Sequence, residues 1–190
     1  FSDSSFNSIS VDGDMSTNDT VVFSSTNKIP IDLSNKRNLN KFISCGAEFF
    51  ISMASKIVTD GEGSTKIIEL NIKNCNSKKL AVDISKKISN SLLVKTAMFG
   101  SDPNWGRIIA SLGSIESKSL DTENIKLYIN DILIFSKGLP HNQVTSKLKK
   151  SMKKKKISIT VDLSSGKKEH KLYFSDLSYE YVKINSEYTT

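Results

Sequence analysis

The sequence predicts an α+β fold, and three observations support that class. The first half of the chain contains two long stretches with apolar residues at helical spacing. The second half changes to short stretches in which apolar and polar residues alternate, as half-buried strands do. A length of 190 residues is enough to bury a core without disulfides or structural metals. We therefore expect a helix-rich part over residues 1–113 and a smaller α+β unit over residues 114–190.

The first half is predicted to place two long helices around a strand. Apolar residues recur at intervals of three and four over residues 40–59, which indicates an amphipathic core helix. The same spacing over residues 78–98 indicates a second long helix. A strand is expected between them at 66–72, and another short strand at 20–23.

A distinctive stretch, K-T-A-M-F-G-S-D-P-N-W-G-R-I-I-A-S-L-G, covers residues 95–113 and contains the only tryptophan. Gly100 is expected to take a left-handed conformation and end the second helix. Asp102 is then expected to cap a new helix with Pro103 at its first position. The stretch is therefore interpreted as helix, tight corner and helix, with Trp105 buried in the corner for stability.

The second half is predicted to form a hairpin, a helix and two further strands. The hairpin turn is Asn130-Asp131, a residue pair that favours the tight turns of two-residue loops. The expected strands are 125–129, 132–135, 157–163 and 170–174, and the expected helix is 144–152.

Most of the net charge of +7 comes from one basic segment, residues 147–156, which supplies seven lysines. Such a run is usually a solvated helix end, and it lacks the interleaved aromatic side chains that stack on bases. We therefore expect no nucleic-acid partner, and a non-catalytic module that binds nucleic acid through this basic face is the alternative to an enzyme. No apolar run approaches the ~20 residues needed to cross a bilayer. No membrane partner and a cytoplasmic location are expected.

The cysteines and histidines form no recognisable metal or disulfide pattern. Cys45 and Cys75 lack paired spacing and a neighbouring histidine, so they are interpreted as reduced packing residues. His141 and His170 lie in polar surroundings, and neither is favoured as a catalytic residue. No metal site is expected.

Two polar segments are candidates for a binding site. D-G-E-G-S-T at residues 60–65 places Glu62 between two glycines, which let a ligand approach the backbone while the carboxylate faces a cation. Acid–glycine pairs also mark ordinary turns, so the pattern alone favours the turn interpretation. Residues 16–19 form a dense cluster of hydroxyl, amide and carboxylate groups. This cluster either satisfies its own turn or forms the polar wall of a site.

Four segments, in order along the chain, are distinctive enough to compare with known families. They are S-F-N-S-I-S-V-D-G-D-M-S-T-N-D-T from residue 5, D-G-E-G-S-T-K from residue 60, K-T-A-M-F-G-S-D-P-N-W-G-R from residue 95, and D-L-S-Y-E-Y-V-K-I-N-S-E-Y-T-T from residue 176. Together they resemble the ornithine acetyltransferases, or glutamate N-acetyltransferases, of arginine biosynthesis, the ArgJ family. The resemblance implies a layered αββα sandwich of the kind shared by DmpA and ArgJ proteins.

The resemblance also implies an activity and a partner. Family members transfer acetyl from N-acetyl-ornithine to glutamate through an acetyl-threonine intermediate. Their nucleophile is the N-terminal threonine of a β chain released by self-cleavage, so it is expected upstream of Phe1 and no catalytic residue is expected in this chain. The implied partner is the α chain of the same precursor, in an (αβ)2 heterotetramer. No cofactor is implied, and the sequence leaves open whether acetyl-CoA is a further acetyl donor.

Three substrate-binding residues follow from the resemblance. The family glutamate that contacts the substrate corresponds to Glu62, which is expected to face the substrate amine. The asparagine and the final threonine that line the family pocket correspond to Asn185 and Thr190, which are expected to face the amino-acid end of the substrate. Aromatic and aliphatic residues from 179 to 188 are expected to bury the C-terminal tail and so hold it in the site.

Overall fold

The computed structural model of the chain describes residues 1–115, 123–141 and 146–188. The described strands form one seven-stranded sheet in the order β1-β7-β2-β6-β3-β4-β5. β1 pairs with β7 in parallel, β2 pairs with β6 in parallel, and the remaining neighbours are antiparallel. The strands are β1 Ile9–Ser10, β2 Ile67–Cys75, β3 Lys126–Ile129, β4 Ile132–Ser136, β5 Leu139–Pro140, β6 Lys156–Asp162 and β7 Lys168–Ser175.

Helices accompany this sheet, which confirms the mixed α+β class. Two short 3-10 turns, Ser2–Ser4 and Phe6–Ser8, precede β1. The described α-helices are α1 Lys36–Thr59, α2 Lys78–Ser89, α3 Leu92–Phe99, α4 Trp105–Gly113, α5 Ser146–Met152 and α6 Tyr179–Glu187.

The hydrophobic core lies on one face of the sheet. Side chains of a strand alternate between faces, and Ile68, Leu70 and Ile72 of β2 all point into this core. Four helices, α2 to α5, cover the face and supply Leu80, Ala81, Ile84, Ile88, Val94, Ala97, Met98, Ile108, Leu112, Leu148 and Met152. On the opposite face, Glu69 forms ion pairs with Lys156 at 3.1 Å and with Lys171 at 3.4 Å.

Strands from both predicted units belong to the same sheet. β2, from the first unit, lies between β6 and β7 of the second. The division expected at residue 113 therefore does not separate two sheets. The sandwich implied by the resemblance contains two sheets. The described residues of this chain form one of them.

The prediction of a single helix over residues 78–98 is wrong. Asn90 ends α2, and Ser91 begins a separate helix, α3. The Ser91 side chain accepts a hydrogen bond from Val94 N at 3.4 Å, which satisfies an amide that the break exposes. After the break, the side chains of Val94, Lys95 and Met98 in α3 are buried.

The corner between α3 and α4 is confirmed, but its residues act differently from the prediction. Gly100 has an ordinary right-handed φ of −69°, and the left-handed conformation belongs to Ser101 at φ 57°. Asn104, rather than Asp102, caps α4 by accepting a backbone hydrogen bond at 3.2 Å. The helix therefore begins at Trp105, whose side chain is only partly buried.

The strands of the second half agree with the prediction, whereas the strand expected at 20–23 is wrong. The hairpin joins β3 to β4 through Asn130 and Asp131, with φ values of 48° and 63°. Val22 and Phe23 are exposed at 81% and 64%, and their segment is irregular. Without a neighbouring strand to pair with, these apolar residues lie on the surface.

Helix α1 has the predicted period but is not a core helix of this chain. Phe50, Ala54 and Val58 are buried, whereas Phe49 and Ile57 are 58% and 48% exposed. The helix packs on β1, β2 and β7 and leaves an apolar face uncovered. By length and mean hydropathy alone, 1.3 over 18 residues, α1 is the single helix among the described residues that could span a membrane.

Candidate functional site

Two of the three predicted site residues meet in the structure. Asn185 Nδ2 donates a hydrogen bond of 2.7 Å to Glu62 Oε2, although 123 residues separate them in sequence. The second Nδ2 hydrogen is donated to the carbonyl of Tyr181 at 3.0 Å. Both Glu62 and Asn185 are exposed, so a ligand can reach them. Thr190, the third predicted residue, lies outside the described residues.

The Glu62–Asn185 pair presents acceptors to a ligand. Both amide hydrogens of Asn185 are used within the protein, which leaves its Oδ1 as an acceptor. Glu62 Oε1 makes no hydrogen bond with the described residues and is a second acceptor. Two acceptors, one of them charged, suit an ammonium group and disfavour a carboxylate.

The turn that carries Glu62 requires its glycines. Gly63 has φ +62°, and a Cβ there would lie 2.4 Å from the backbone N of Tyr181. A Cβ at Gly61 would lie 2.9 Å from Val11 Cγ1. The turn is therefore pressed between the Val11 segment and α6, and this close approach brings Glu62 within reach of Asn185.

Helix α6 is held to this turn by polar contacts. Ser178 Oγ donates to the carbonyl of Gly63 at 2.6 Å and accepts from Tyr181 N at 3.2 Å. The expectation that apolar burial docks the tail is wrong, because Tyr179 and Tyr188 are exposed at 83% and 73%. The tail is instead a helix, capped by the same serine that fixes the Glu62 turn.

Asp176 joins the two strands beneath the site. It is buried, and one of its carboxylate oxygens accepts from the backbone N of Thr65 and of Lys66, both at 2.9 Å. Its other carboxylate oxygen accepts from the Thr65 hydroxyl. These charge-assisted bonds fix the start of β2, after the Glu62 turn, against the end of β7, before α6.

The surroundings of Tyr181 are acidic. Its hydroxyl donates to Asp12 Oδ2 at 3.2 Å. Burial raises the pKa of Tyr181, and the negative charges of Asp12, Asp14 and Glu62 raise this pKa further. Three carboxylates near one hydroxyl produce a negative potential, which again favours a cationic ligand.

Lys95 is a buried cation that the sequence analysis did not identify. Its side chain is 1% exposed, and Nζ donates to Val11 O at 2.6 Å, Ser175 O at 2.5 Å and Ser175 Oγ at 3.2 Å. Burial lowers the pKa of Lys95 from its usual 10.5 to about 8, against the opposing effects of Asp176 and Asp12. The only sequence signal was a lysine inside the largely apolar stretch L-L-V-K-T-A-M-F, residues 92–99.

A second buried lysine, Lys66, holds the end of α3. Its Nζ donates to the carbonyls of Met98 at 2.6 Å and Phe99 at 3.2 Å, and to Ser101 Oγ at 2.7 Å. Burial lowers the pKa of Lys66, and Asp176 opposes this effect. A cation at the C-terminus of a helix satisfies carbonyls that lack intrahelical partners.

The other candidate residues do not join this site. In the polar cluster at 16–19, Asn18 N donates to Ser16 Oγ at 3.1 Å and Thr17 donates to Asn18, so the cluster satisfies its own turn. His141 is exposed and lies 2.7 Å from the hydroxyl of Ser136. Burial lowers the pKa of His170, as do the charges of Lys78 and Lys86.

Neither cysteine forms a disulfide, and Cys45 is exposed rather than packed. The expectation that Cys45 is a packing residue is wrong, because it lies on the uncovered side of α1. Within residues 1–115, 123–141 and 146–188, no cluster of three metal-ligating side chains is present.

Comparisons with known proteins identify the family. A model of the ArgJ family matches residues 1–190. The chain is 43% identical, over 203 aligned residues, to the glutamate N-acetyltransferase of Methanocaldococcus jannaschii, covering 99% of this chain and 48% of that protein. It is 41% identical to the arginine biosynthesis bifunctional protein ArgJ of Aquifex aeolicus, covering 97% of this chain and 47% of that protein.

The fold agrees with a solved structure. The crystal structure of the arginine biosynthesis bifunctional protein ArgJ from Bacillus halodurans superposes with a TM-score of 0.85 at 31% identity, covering 98% of this chain and 89% of that chain. The chain thus spans about half the length of the curated relatives it matches but nearly all of the crystallised chain. With a family match over its whole length and relatives more than 40% identical, the chain belongs to the ArgJ family.

Proposed function

We propose that this chain is the substrate-recognising β subunit of an acetyltransferase that moves acetyl from N-acetyl-ornithine to glutamate. The observation that carries the proposal is the contact between Glu62 and Asn185, because it joins the two described residues that the family resemblance assigns to the substrate. Glu62 and Asn185 Oδ1 bind the substrate amine. Thr190 completes the pocket at the amino-acid end of the substrate.

The chemical step requires a nucleophile from outside this chain. The hydroxyl of an N-terminal threonine attacks the acetyl carbonyl of N-acetyl-ornithine, its proton passes to the departing amine, and ornithine leaves. The amine of glutamate then attacks the resulting ester, and the threonine hydroxyl is restored. No cofactor takes part in these steps. Acetyl-CoA would enter the same cycle as another donor of the acetyl group.

The comparison with relatives supports an assembly of two chains. The crystallised ArgJ chain is nearly matched by this chain, whereas the curated proteins are twice as long. We infer that a second chain of similar size supplies the remaining half. In the proposed assembly it is the α chain of the same precursor, and two αβ pairs form the cytoplasmic enzyme.

The uncovered apolar surface supports the same assembly. A groove of about 520 Å³ runs beside α1 and is lined by Phe1, Phe23, Phe42, Phe49 and Phe50, among others. A contiguous exposed apolar surface is typical of an interaction site. We assign it to the α chain rather than to a lipid bilayer, because α1 carries Glu48 and Lys56 and packs against three strands of the sheet.

The test is to compare this chain alone with the same chain co-produced with the missing half. Acetyl transfer from N-acetyl-ornithine to glutamate is measured in both preparations. We expect activity only in the two-chain enzyme, and a covalently acetylated peptide outside residues 1–190. Equal activity of the isolated chain would show that the nucleophile lies within it and would overturn the proposal.

A further inference from the structure

Lys95 lies where the segments that build the Glu62–Asn185 pair meet. Its ammonium group bonds to the carbonyl of Val11 on one side and to the carbonyl and hydroxyl of Ser175 on the other. Its own backbone carbonyl accepts from Leu177 N at 3.4 Å, in the connection between β7 and α6. One residue of α3 therefore fixes two segments that are far apart in sequence.

The Val11 segment leads from Lys95 to Glu62. The Val11 side chain lies so close beneath the Glu62 turn that Gly61 has no room for a Cβ. Asp12, the next residue, accepts the hydrogen bond of Tyr181 in α6. A shift of the Val11 carbonyl would therefore disturb the support of both the turn and the helix.

The Ser175 segment leads from Lys95 to Asn185. Ser175 Oγ itself donates to Val11 O at 2.9 Å, which closes a small ring of hydrogen bonds around the ammonium group. Three residues later, Ser178 caps α6 and bonds to the Glu62 turn. The position of Asn185 on α6 thus depends on the same anchored end of β7.

The hydrogen-bond chemistry at Lys95 matches an ammonium group. Three N–H hydrogens meet three acceptors, whereas a neutral amine would offer two hydrogens and turn a lone pair toward an oxygen. The charged groups that face Lys95 are Asp176 and Asp12, and neither lies within ion-pair distance. The ring of Phe174, 5.5 Å away, is a further favourable contact for the cation.

We propose that the buried ammonium group of Lys95 is a positioning group for substrate recognition, holding the Val11 segment and the end of β7 in the arrangement that brings Glu62 and Asn185 together. Lys95 does not touch the substrate. The inference rests on the proposed function for its kinetic consequence, and on the geometry alone for its structural consequence.

The first test compares Lys95→Met with Lys66→Met in the two-chain enzyme. Both changes remove a buried ammonium group, keep most of the side-chain length and leave the backbone hydrogen bonds in place, but the Lys66 ammonium group bonds only to the end of α3 and to Ser101. Misplacement of a recognition pair by about 1 Å costs roughly ten- to a hundred-fold in kcat/KM. We expect a loss of that size, mainly through KM, for Lys95→Met and less than about two-fold for Lys66→Met. Equal KM values for both variants would overturn the proposal.

The pH dependence gives a readout that a purely structural residue would not change. The wild-type KM for N-acetyl-ornithine is expected to rise above pH of about 8, where Lys95 loses its proton. The Lys95→Met profile should lack this rise, while Lys66→Met should keep it. Parallel profiles for wild type and Lys95→Met would contradict the role of the ammonium group.

A third measurement separates this inference from the proposed function. Amide hydrogen exchange over residues 175–181, where the amides of Asp176 and Leu177 donate to the carbonyls of Lys66 and Lys95, is compared at one pH in wild type, Lys95→Met and Ser175→Ala, the last of which keeps the Ser175 carbonyl. Exchange should be faster in both variants, and most in Lys95→Met. Unchanged exchange would refute the positioning role of Lys95 even if the enzyme transfers acetyl. Faster exchange would support this role even if the acetyl-transfer assignment failed.

Discussion

Replacement of Gly63 by alanine tests whether the close approach of α6 to the Glu62 turn is required for recognition. Gly63 has φ +62°, and the added Cβ would lie 2.4 Å from Tyr181 N, about 1 Å short of an ordinary contact. Relief of this clash by movement of α6 would stretch the 2.7 Å bond between Asn185 and Glu62 to about 3.7 Å, beyond hydrogen-bonding distance. The matched control is Gly138→Ala, with φ +72° and no neighbour within 4 Å.

Both alanine variants carry the cost of a left-handed residue, about 1–2 kcal/mol. Gly63→Ala adds an overpacking cost of about 1–3 kcal/mol. At about 2–4 °C per kcal/mol for a chain of this size, Gly138→Ala should lower Tm by roughly 5 °C and Gly63→Ala by roughly 10 °C. Only Gly63→Ala should also raise the KM for N-acetyl-ornithine. Equal melting temperatures together with an unchanged KM would refute the requirement for close approach.

Three further outcomes are expected. Trp105→Ala should lower the free energy of unfolding by about 2–3 kcal/mol, because the partly buried indole stacks on Phe135 with ring centroids 5.2 Å apart. The KM should not change. A raised KM with an unchanged melting temperature would instead place this corner in the pocket. The pKa of His170 lies below its usual 6.5, so the unfolded chain takes up the proton first and wild-type stability should fall as pH drops below about 6.5. Urea titrations of His170→Phe at pH 7.5 and 5.5 should lack this loss of stability. An identical pH dependence in wild type and His170→Phe would contradict the prediction. Removal of residues 189–190 should raise the KM for both substrates with little change in Tm, and unchanged kinetics would exclude Thr190 from the site.

Local sequence signals were enough for most of the fold. Strand alternation gave β6 and β7, and Asn130-Asp131 gave the hairpin, because these depend on side-chain period and turn chemistry. The break between α2 and α3 was missed, since Ser91 acts as an N-cap inside an apolar stretch whose helical spacing continues across it. The left-handed conformation was expected at Gly100 but occurs at Ser101, because packing around the buried end of α3, rather than intrinsic preference, decides it.

The candidate site could be predicted in its residues but not in its arrangement. The family resemblance gave Glu62 and Asn185, whereas no spacing rule relates positions 123 residues apart. The amide orientation of Asn185, which makes it an acceptor for the ligand, depends on the carbonyl of Tyr181 in the folded helix. Lys95 was missed because a lysine is seldom fully buried, and its carbonyl partners come from segments that sequence proximity does not connect.

In the proposed function, Glu62, held by Asn185, recognises the ammonium group of the substrate. The most direct test measures kcat/KM of wild type and Glu62→Gln with two donors, N-acetyl-ornithine and N-acetyl-norvaline, which lacks the side-chain amine. Gln keeps the acceptor for Asn185 Nδ2 and removes the charge. A charge-assisted hydrogen bond of about 1.5–3 kcal/mol predicts that wild type prefers N-acetyl-ornithine by a factor roughly ten- to a hundred-fold larger than Glu62→Gln does. The same preference in both enzymes would contradict the claim.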